Sequence, residues 1–416
     1  MRRLGYSPGV TAGVPTSTKV SALLVSAGIG GNQLASYLLN VLAARLLVPS
    51  AFGELGSLLA VLVIGSVPAM GMQTVTALRV ARRDSAGELV ALGLVTAGAI
   101  TVVALAVSPL LVVLLHLGSP VPAVFVAVAL AGVTFTGLCY GILQGRHRFT
   151  ALAALLLTDA VVRIGGTLAG LLVTGTATGA LAGTAIGAAV VATAGWVVCG
   201  RPRPRGHGKA HVSEVLHAVS AMLALVLLVN LDLVLARHYL PAHEAGEYAV
   251  GAIVAKIAYW LPQAVAILVL PRLASERGRR RMVPIALAVC AALDLVVVAG
   301  SAVMGPTVVS VVGGADYAAS PIPVWPFALV GSALSLVQIL LYSRIAGNDR
   351  WSTLLIWGAV AVEVVLVTGR LHGALTQVVT AAVVATGTLV CASAVVELRS
   401  RREPLHAPGD DRGHGE

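Results

Sequence analysis

Charge is what this chain has least of. Lys, Arg, Asp and Glu together supply 11% of its 416 residues, against roughly a quarter in an ordinary soluble domain. A water-facing surface for a chain of this length is therefore excluded. Aromatic residues are equally scarce at 4%. That scarcity decides how the formal net charge of +10 is read. The basic residues stand in short clusters between apolar runs and are not interleaved with aromatic rings, so they mark topology, and no nucleic-acid partner is expected. Cysteine is rare too. Cys139, Cys199, Cys290 and Cys391 form no C-x-x-C pair, which removes a zinc ribbon or redox dithiol and leaves them as small packing residues.

Catalytic signatures are missing as well. The sequence has no G-x4-G-K-[ST] phosphate loop. His243-Glu244 lacks the second histidine of H-E-x-x-H, and His207 and His211 stand without further ligands. No cofactor and no metal are expected. No polar segment is long enough to fold as an enzyme domain, so the chain is expected not to be an enzyme. Any transport would draw on an ion gradient, the membrane potential or the substrate's own gradient.

What the sequence has in abundance is apolar length. Hydrophobic residues make up 57% and the mean hydropathy is +0.92. Runs of 20 or more apolar residues recur throughout, each long enough to cross about 30 Å of hydrocarbon. They are continuous and do not alternate with period two, which excludes a β-barrel. The segment Val20–Gly30 has the look of a signal-peptide core, but it continues through Asn32 and Gln33 without a cleavage site and reads as a first span.

Twelve spans are expected, near 20–46, 53–79, 87–115, 122–144, 150–173, 177–199, 213–238, 247–271, 283–311, 322–345, 352–369 and 373–397. With the N-terminus placed in the cytoplasm, 23 of the 28 Lys and Arg residues fall on the inner side. Only Arg45, Arg237 and Arg370 fall on the outer side, and Arg163 and Lys256 lie within spans. That bias supports a multi-pass protein of the cell membrane with both termini inside. The basic linker around Arg201–His211 follows span six. The expected organisation is thus a cytoplasmic segment 1–19, a six-helix lobe 20–199, a linker 200–212, a second six-helix lobe 213–398 and a polar, disordered tail 399–416. Gly137-x3-Gly141-x3-Gly145, Gly166-x3-Gly170 and Gly179-x3-Gly183-x3-Gly187 are small-residue ladders suited to close helix contacts in lipid.

One pattern occurs twice. The first copy places Asn40, Arg45, Pro49, Gly53 and Glu54 in order; the second places Asn230, Arg237, Pro241, Gly246 and Glu247. Each glycine is followed 26 residues later by an arginine, Arg79 or Arg272, and the copies lie 193 residues apart. Because 193 residues span six helices, the two copies share one orientation, which makes a parallel repeat of two lobes about a central cavity.

Ionisable side chains at membrane depth are costly and face a cavity or a partner. The first lobe has Asp159 and Arg163, one helical turn apart; the second has Asp232, Lys256, Asp294 and Glu363. Arg163 and Lys256 are the candidate cationic contacts for an anionic substrate, joined by the polar Asn32, Gln33, Gln73 and Gln263. Asp159, Asp232, Asp294 and Glu363 are candidates for carrying a coupling proton or cation. The competing reading makes Asp159–Arg163 and Asp232–Lys256 satisfied structural pairs.

The duplicated hairpin also carries a resemblance. Ala44 through Gly53, then Gly71-Met72-Gln73 and Arg79-Val80-Ala81-Arg82, is similar to the opening of the Wzx-type polysaccharide flippases. So are Asn230-Leu231-Asp232, Leu240-Pro241, Gly246-Glu247-Tyr248 and Leu270-Pro271-Arg272-Leu273. These flippases belong to the multidrug/oligosaccharidyl-lipid/polysaccharide (MOP) exporter superfamily, with the MATE drug exporters and the MurJ-type lipid II flippases. The resemblance implies an all-α, V-shaped pair of six-helix lobes that flips a polyprenyl-diphosphate-linked oligosaccharide by alternating access. It also implies lipid and biosynthetic partners, a polysaccharide polymerase and glycosyltransferases. The chain departs from the pattern in having only two cations at depth, which disfavours lipid II. A MATE-like exporter of cationic drugs, which would favour the acidic residues, and a non-transporting membrane scaffold are the alternatives.

Overall fold

The computed structural model describes residues 31, 35–82, 86–205, 219–260, 276–317, 320–345 and 350–402. Apart from one 3-10 turn at Ala315–Tyr317, the regular structure among them is α-helix, and no strand occurs. The helices are α1 (Ala35–Leu46), α2 (Pro49–Gly65), α3 (Val67–Ala81), α4 (Ala86–Leu114), α5 (Val121–Gly145), α6 (Phe149–Thr174) and α7 (Ala177–Val198). The second half holds α8 (Ser220–Tyr239), α9 (Ala242–Trp260), α10 (Glu276–Val303), α11 (Gly305–Gly313), α12 (Val324–Ile345), α13 (Arg350–Gly369) and α14 (Leu375–Arg402).

A helix falls on each of the twelve expected spans, and two spans are broken. Span two divides at Ser66 into α2 and α3, because Pro68 cannot donate to the preceding turn. Span nine divides at Met304 into α10 and the short α11, which has Pro306 in its first turn. Among the described residues, eight helical segments are long and apolar enough to cross a membrane. Three described apolar stretches, Ala35–Leu46, Val324–Leu340 and Thr353–Gly369, fall below that length. The protein is a multi-pass helical membrane protein.

Within the first half, α5 is central, with α3, α4 and α7 packed on it and α6 packed on α7. In the second, α12 is central, with α9, α10 and α14 around it, while α13 bridges α14 and α8. Glycine ladders set the closest approaches. A Cβ on Gly183 would lie 1.8 Å from the Gly166 carbonyl oxygen, and one on Gly170 would lie 2.0 Å from that of Gly179. Along α5, Gly137, Gly141 and Gly145 meet the carbonyls of Ala69, Gln73 and Ala77 on α3. Lipid gives helices little hydrophobic drive to associate, so backbone-to-backbone fit of this kind holds them.

The halves meet through α2, which lies against α8 and α9. Gly53 of the first repeat copy touches Gly246 of the second: its Cβ would fall 2.8 Å from the Gly246 nitrogen. A Cβ on Gly246 would lie 2.0 Å from the Pro49 carbonyl. One apolar core, including Phe52, Leu55, Leu233, Tyr248 and Phe327, runs continuously across this junction. A second core, around Met72, Leu138 and Val191, belongs to the first half alone.

Candidate functional site

Just beyond the glycine junction the halves part around a cavity of about 320 Å³. Its walls come from eight helices of the first and second halves. α1 supplies Ser36, Tyr37 and Asn40; the break between α2 and α3 supplies Ser66, Met70 and Gln73. α5, α6 and α7 contribute Thr136, Tyr140, Asp159, Arg163, Thr167 and Thr184. The second half faces them with Leu233, Ala249, Ala252, Ile253 and Lys256.

Four of the residues singled out in the sequence therefore share one space: Gln73, Asp159, Arg163 and Lys256. The Arg163 guanidinium donates from Nε to Asp159 Oδ1 at 3.1 Å and from Nη2 to Oδ2 at 3.4 Å, closing a fork across one turn of α6. The two side chains keep 27% and 17% exposure, so the pair stands at the cavity wall and is not sealed behind it. Its backbone is fixed from behind, since a Cβ on Gly187 of α7 would fall 2.9 Å from Arg163 Cα. Thr167 donates to the Arg163 carbonyl at 2.7 Å and shares a 2.7 Å hydroxyl pair with Thr184. The ladder that joins α6 to α7 thus also aims the arginine.

Lys256 enters from α9, and its carbonyl accepts a 3.4 Å hydrogen bond from the Tyr37 hydroxyl across the junction. Gln73 donates to Gln144 at 3.0 Å, while Asn40 turns back to the Ser36 carbonyl. The wall holds two cations against one carboxylate, set among hydroxyls and amides.

The remaining carboxylates lie apart from the cavity. Asp232 is buried behind it, accepting from the Tyr248 hydroxyl at 2.9 Å and from the Leu233 N–H at 2.8 Å. Its charge acts on Lys256 and on Glu363 of α13. Glu363 is 1% exposed, and neither of its carboxylate oxygens meets a hydrogen-bond donor among the described residues. Asp294 sits elsewhere, between α10 and α12, accepting from Ser335 at 2.8 Å. Asn32, Gln33 and Gln263 lie outside the described residues. No group of three His, Cys, Asp or Glu side chains able to hold a metal ion occurs among the described residues.

Sequence reading passed over the hydroxyl lining. Thr136, Thr167 and Thr184 carry no charge and sit in apolar runs, so nothing in composition separates them from packing residues. Their signal was position, next to the glycines that bring α5, α6 and α7 together.

No family model matches the sequence, and no curated protein matches it. Solved structures do match the fold. The lipid II flippase MurJ, in an inward closed conformation, superposes with a TM-score of 0.72 at 13% identity, over 91% of this chain and 87% of that one. An inward-facing multidrug resistance MATE transporter of the MOP superfamily gives 0.69 at 15% identity, over 90% and 96%. A MOP superfamily transporter from Pyrococcus furiosus, described as having a binding pocket of reverse polarity, gives 0.54 at 16%, over 92% and 97%. At such identities the likeness is one of fold: the chain has the two-lobed helical architecture of the MOP exporters.

Proposed function

We propose that the protein is an alternating-access transporter that moves a polyprenyl-diphosphate-linked oligosaccharide from the inner to the outer leaflet of the cell membrane. The observation that carries this reading is the cavity wall: Arg163 and Lys256 against Asp159, with Tyr37, Asn40, Gln73, Thr136 and Thr167 around them. The guanidinium fork now spent on Asp159 is the geometry that a phosphate accepts. An incoming diphosphate would exchange with that carboxylate and gain Lys256 from the other half, drawing the lobes onto one ligand. Hydroxyl and amide groups suit sugar hydroxyls. A cavity of about 320 Å³ is at the small end for ligand sites. It admits a phosphate and a sugar, and the rest of such a substrate requires the halves to separate further.

The lobes 20–199 and 213–398, joined by the linker 200–212, are the moving bodies in this scheme. Both termini lie in the cytoplasm, so the glycine junction seals the outer side. Asp232 and Glu363, next to Lys256, form the coupling pair: a cation or proton held there compensates two neighbouring carboxylates in apolar surroundings. Lys256 thereby ties substrate to coupling ion. A polymerase and glycosyltransferases are the expected partners, receiving and supplying the lipid-linked sugar.

The test replaces Arg163 and Lys256 separately by Gln and measures surface polysaccharide at matched protein levels. Each variant is expected to export at least about tenfold less, the loss of one charge-assisted contact. Unchanged export from both removes the site. The second reading, a MATE-like exporter of cationic molecules, is favoured by one observation, that Arg163 is already neutralised while the buried Glu363 carboxylate meets no hydrogen-bond donor among the described residues. Drug resistance on overexpression, without a polysaccharide defect on deletion, selects it.

A further inference from the structure

At the glycine junction the arginine of each repeat copy crosses to the opposite half. Arg45, at the end of α1, donates from Nε to the Val311 carbonyl at 3.0 Å, and its Nη2 donates to the same oxygen. Arg237, at the end of α8, donates from Nε to the Leu115 carbonyl at 3.1 Å and from Nη1 to that of Ser50 at 3.4 Å. The Glu54 carboxylate adds its charge to this second site. The acceptors are equivalent. Val311 lies in the last turn of α11 and Leu115 just past the end of α4, so each closes the third span of its half. In both places the chain then turns at a residue of positive φ, Gly314 with φ 82° and His116 with φ 51°. Carbonyls at a helix end have no partner within the helix and carry its partial negative charge, which a guanidinium satisfies.

We propose that Arg45 and Arg237 are a duplicated latch, each holding its half closed on the other by capping a helix carboxyl end across the junction. Both sets of bonds run between halves, so they exist only while this end is shut. A contact made in one of two states shifts the balance by its own free energy. The role in a transport cycle rests on the alternating-access reading; the geometry does not. The two arms are unequal. Arg237 is 6% exposed and reinforced by His238, whose Nδ1 lies 2.8 Å from the Leu114 carbonyl and whose ring stacks on His116 at 5.6 Å between centroids. Arg45 is exposed. The buried arm is the stronger.

The experiment reads access to the cavity and needs no substrate. In a chain with its four cysteines replaced, Leu59→Cys places a thiol in the cavity wall just inside the junction. An impermeant maleimide is added to whole cells and, separately, to inside-out vesicles. Arg237→Ala is expected to speed labelling from the whole-cell face by about tenfold, Arg45→Ala by less, and the double variant by most. Arg237→Lys, which keeps the charge and loses the fork, falls between. Labelling of the double variant at the parent rate overturns the latch, as does equal acceleration from both faces, the mark of general loosening. If Arg237→Ala fails to reach the membrane, Arg45→Ala carries the test, since its side chain is exposed; the parent rate there overturns the proposal. Loss of the polysaccharide reading would leave these rates untouched, and unchanged rates would leave that reading standing.

Discussion

Glu363 and Arg163 show how differently two charges at membrane depth are kept. Arg163 has its carboxylate one turn away and an open cavity in front; Glu363 is enclosed, with its oxygens unmatched among the described residues. Removing Asp159 should therefore free the arginine and leave the helix intact. Asp159→Asn is expected to keep the fold and raise affinity for anions in the cavity, read by binding of inorganic diphosphate to purified protein. For Glu363 the informative change is isosteric. Glu363→Gln should preserve thermal stability and abolish the dependence of transport on an imposed ion gradient, measured in proteoliposomes. A gradient dependence equal to the parent's would dismiss Glu363 as a coupling residue. These residues were visible in the sequence because charge in an apolar run stands out. Their separation was not visible. Asp294 looked equivalent to Asp232 until the helices placed it against Ser335, away from the cavity.

At the scale of elements, the α6–α7 pair is the most demanding contact. With a Cβ on Gly183 falling 1.8 Å from the Gly166 carbonyl oxygen, even a methyl group forces the two helices apart. Gly183→Ala should destabilise the protein by about 1–3 kcal/mol, the usual cost of overpacking. The change is measured as a lowered melting temperature in detergent. Gly165, whose added Cβ would meet nothing, is the matched control, and its alanine variant should melt with the parent. The ladders at 166–170 and 179–187 were readable from spacing alone, as were the spans, because both depend on local pattern. The breaks at Ser66 and Met304 were less so. A proline within an apolar run is compatible with a kinked helix as well as with two helices, and the neighbours decide.

At the scale of the molecule, the two halves touch where the repeated motif touches itself. The sequence showed that the hairpin is duplicated and in which sense; it carried no sign that Gly53 and Gly246 would meet, since nothing local records a contact 193 residues away. Gly246→Ala should disfavour the closed junction by pressing a methyl group into the Pro49 carbonyl. Spin labels at the exposed Val48 and at Val311 should then show a longer distance population than in the parent. An unchanged distribution would mean that the junction yields without opening.

Gly53 meeting Gly246 also has the form of a symmetric interface. Where two copies of one hairpin face each other about a two-fold axis, a residue near that axis packs against its own counterpart, and any side chain added there is added twice. Such a site can hold only what tolerates its own mirror partner at backbone distance. Arg45 and Arg237, each reaching to the same place on the other half, keep the reciprocity of two identical subunits. Their difference, one arm buried and one exposed, is open to a single chain, in which the two sides can differ, and closed to two identical subunits.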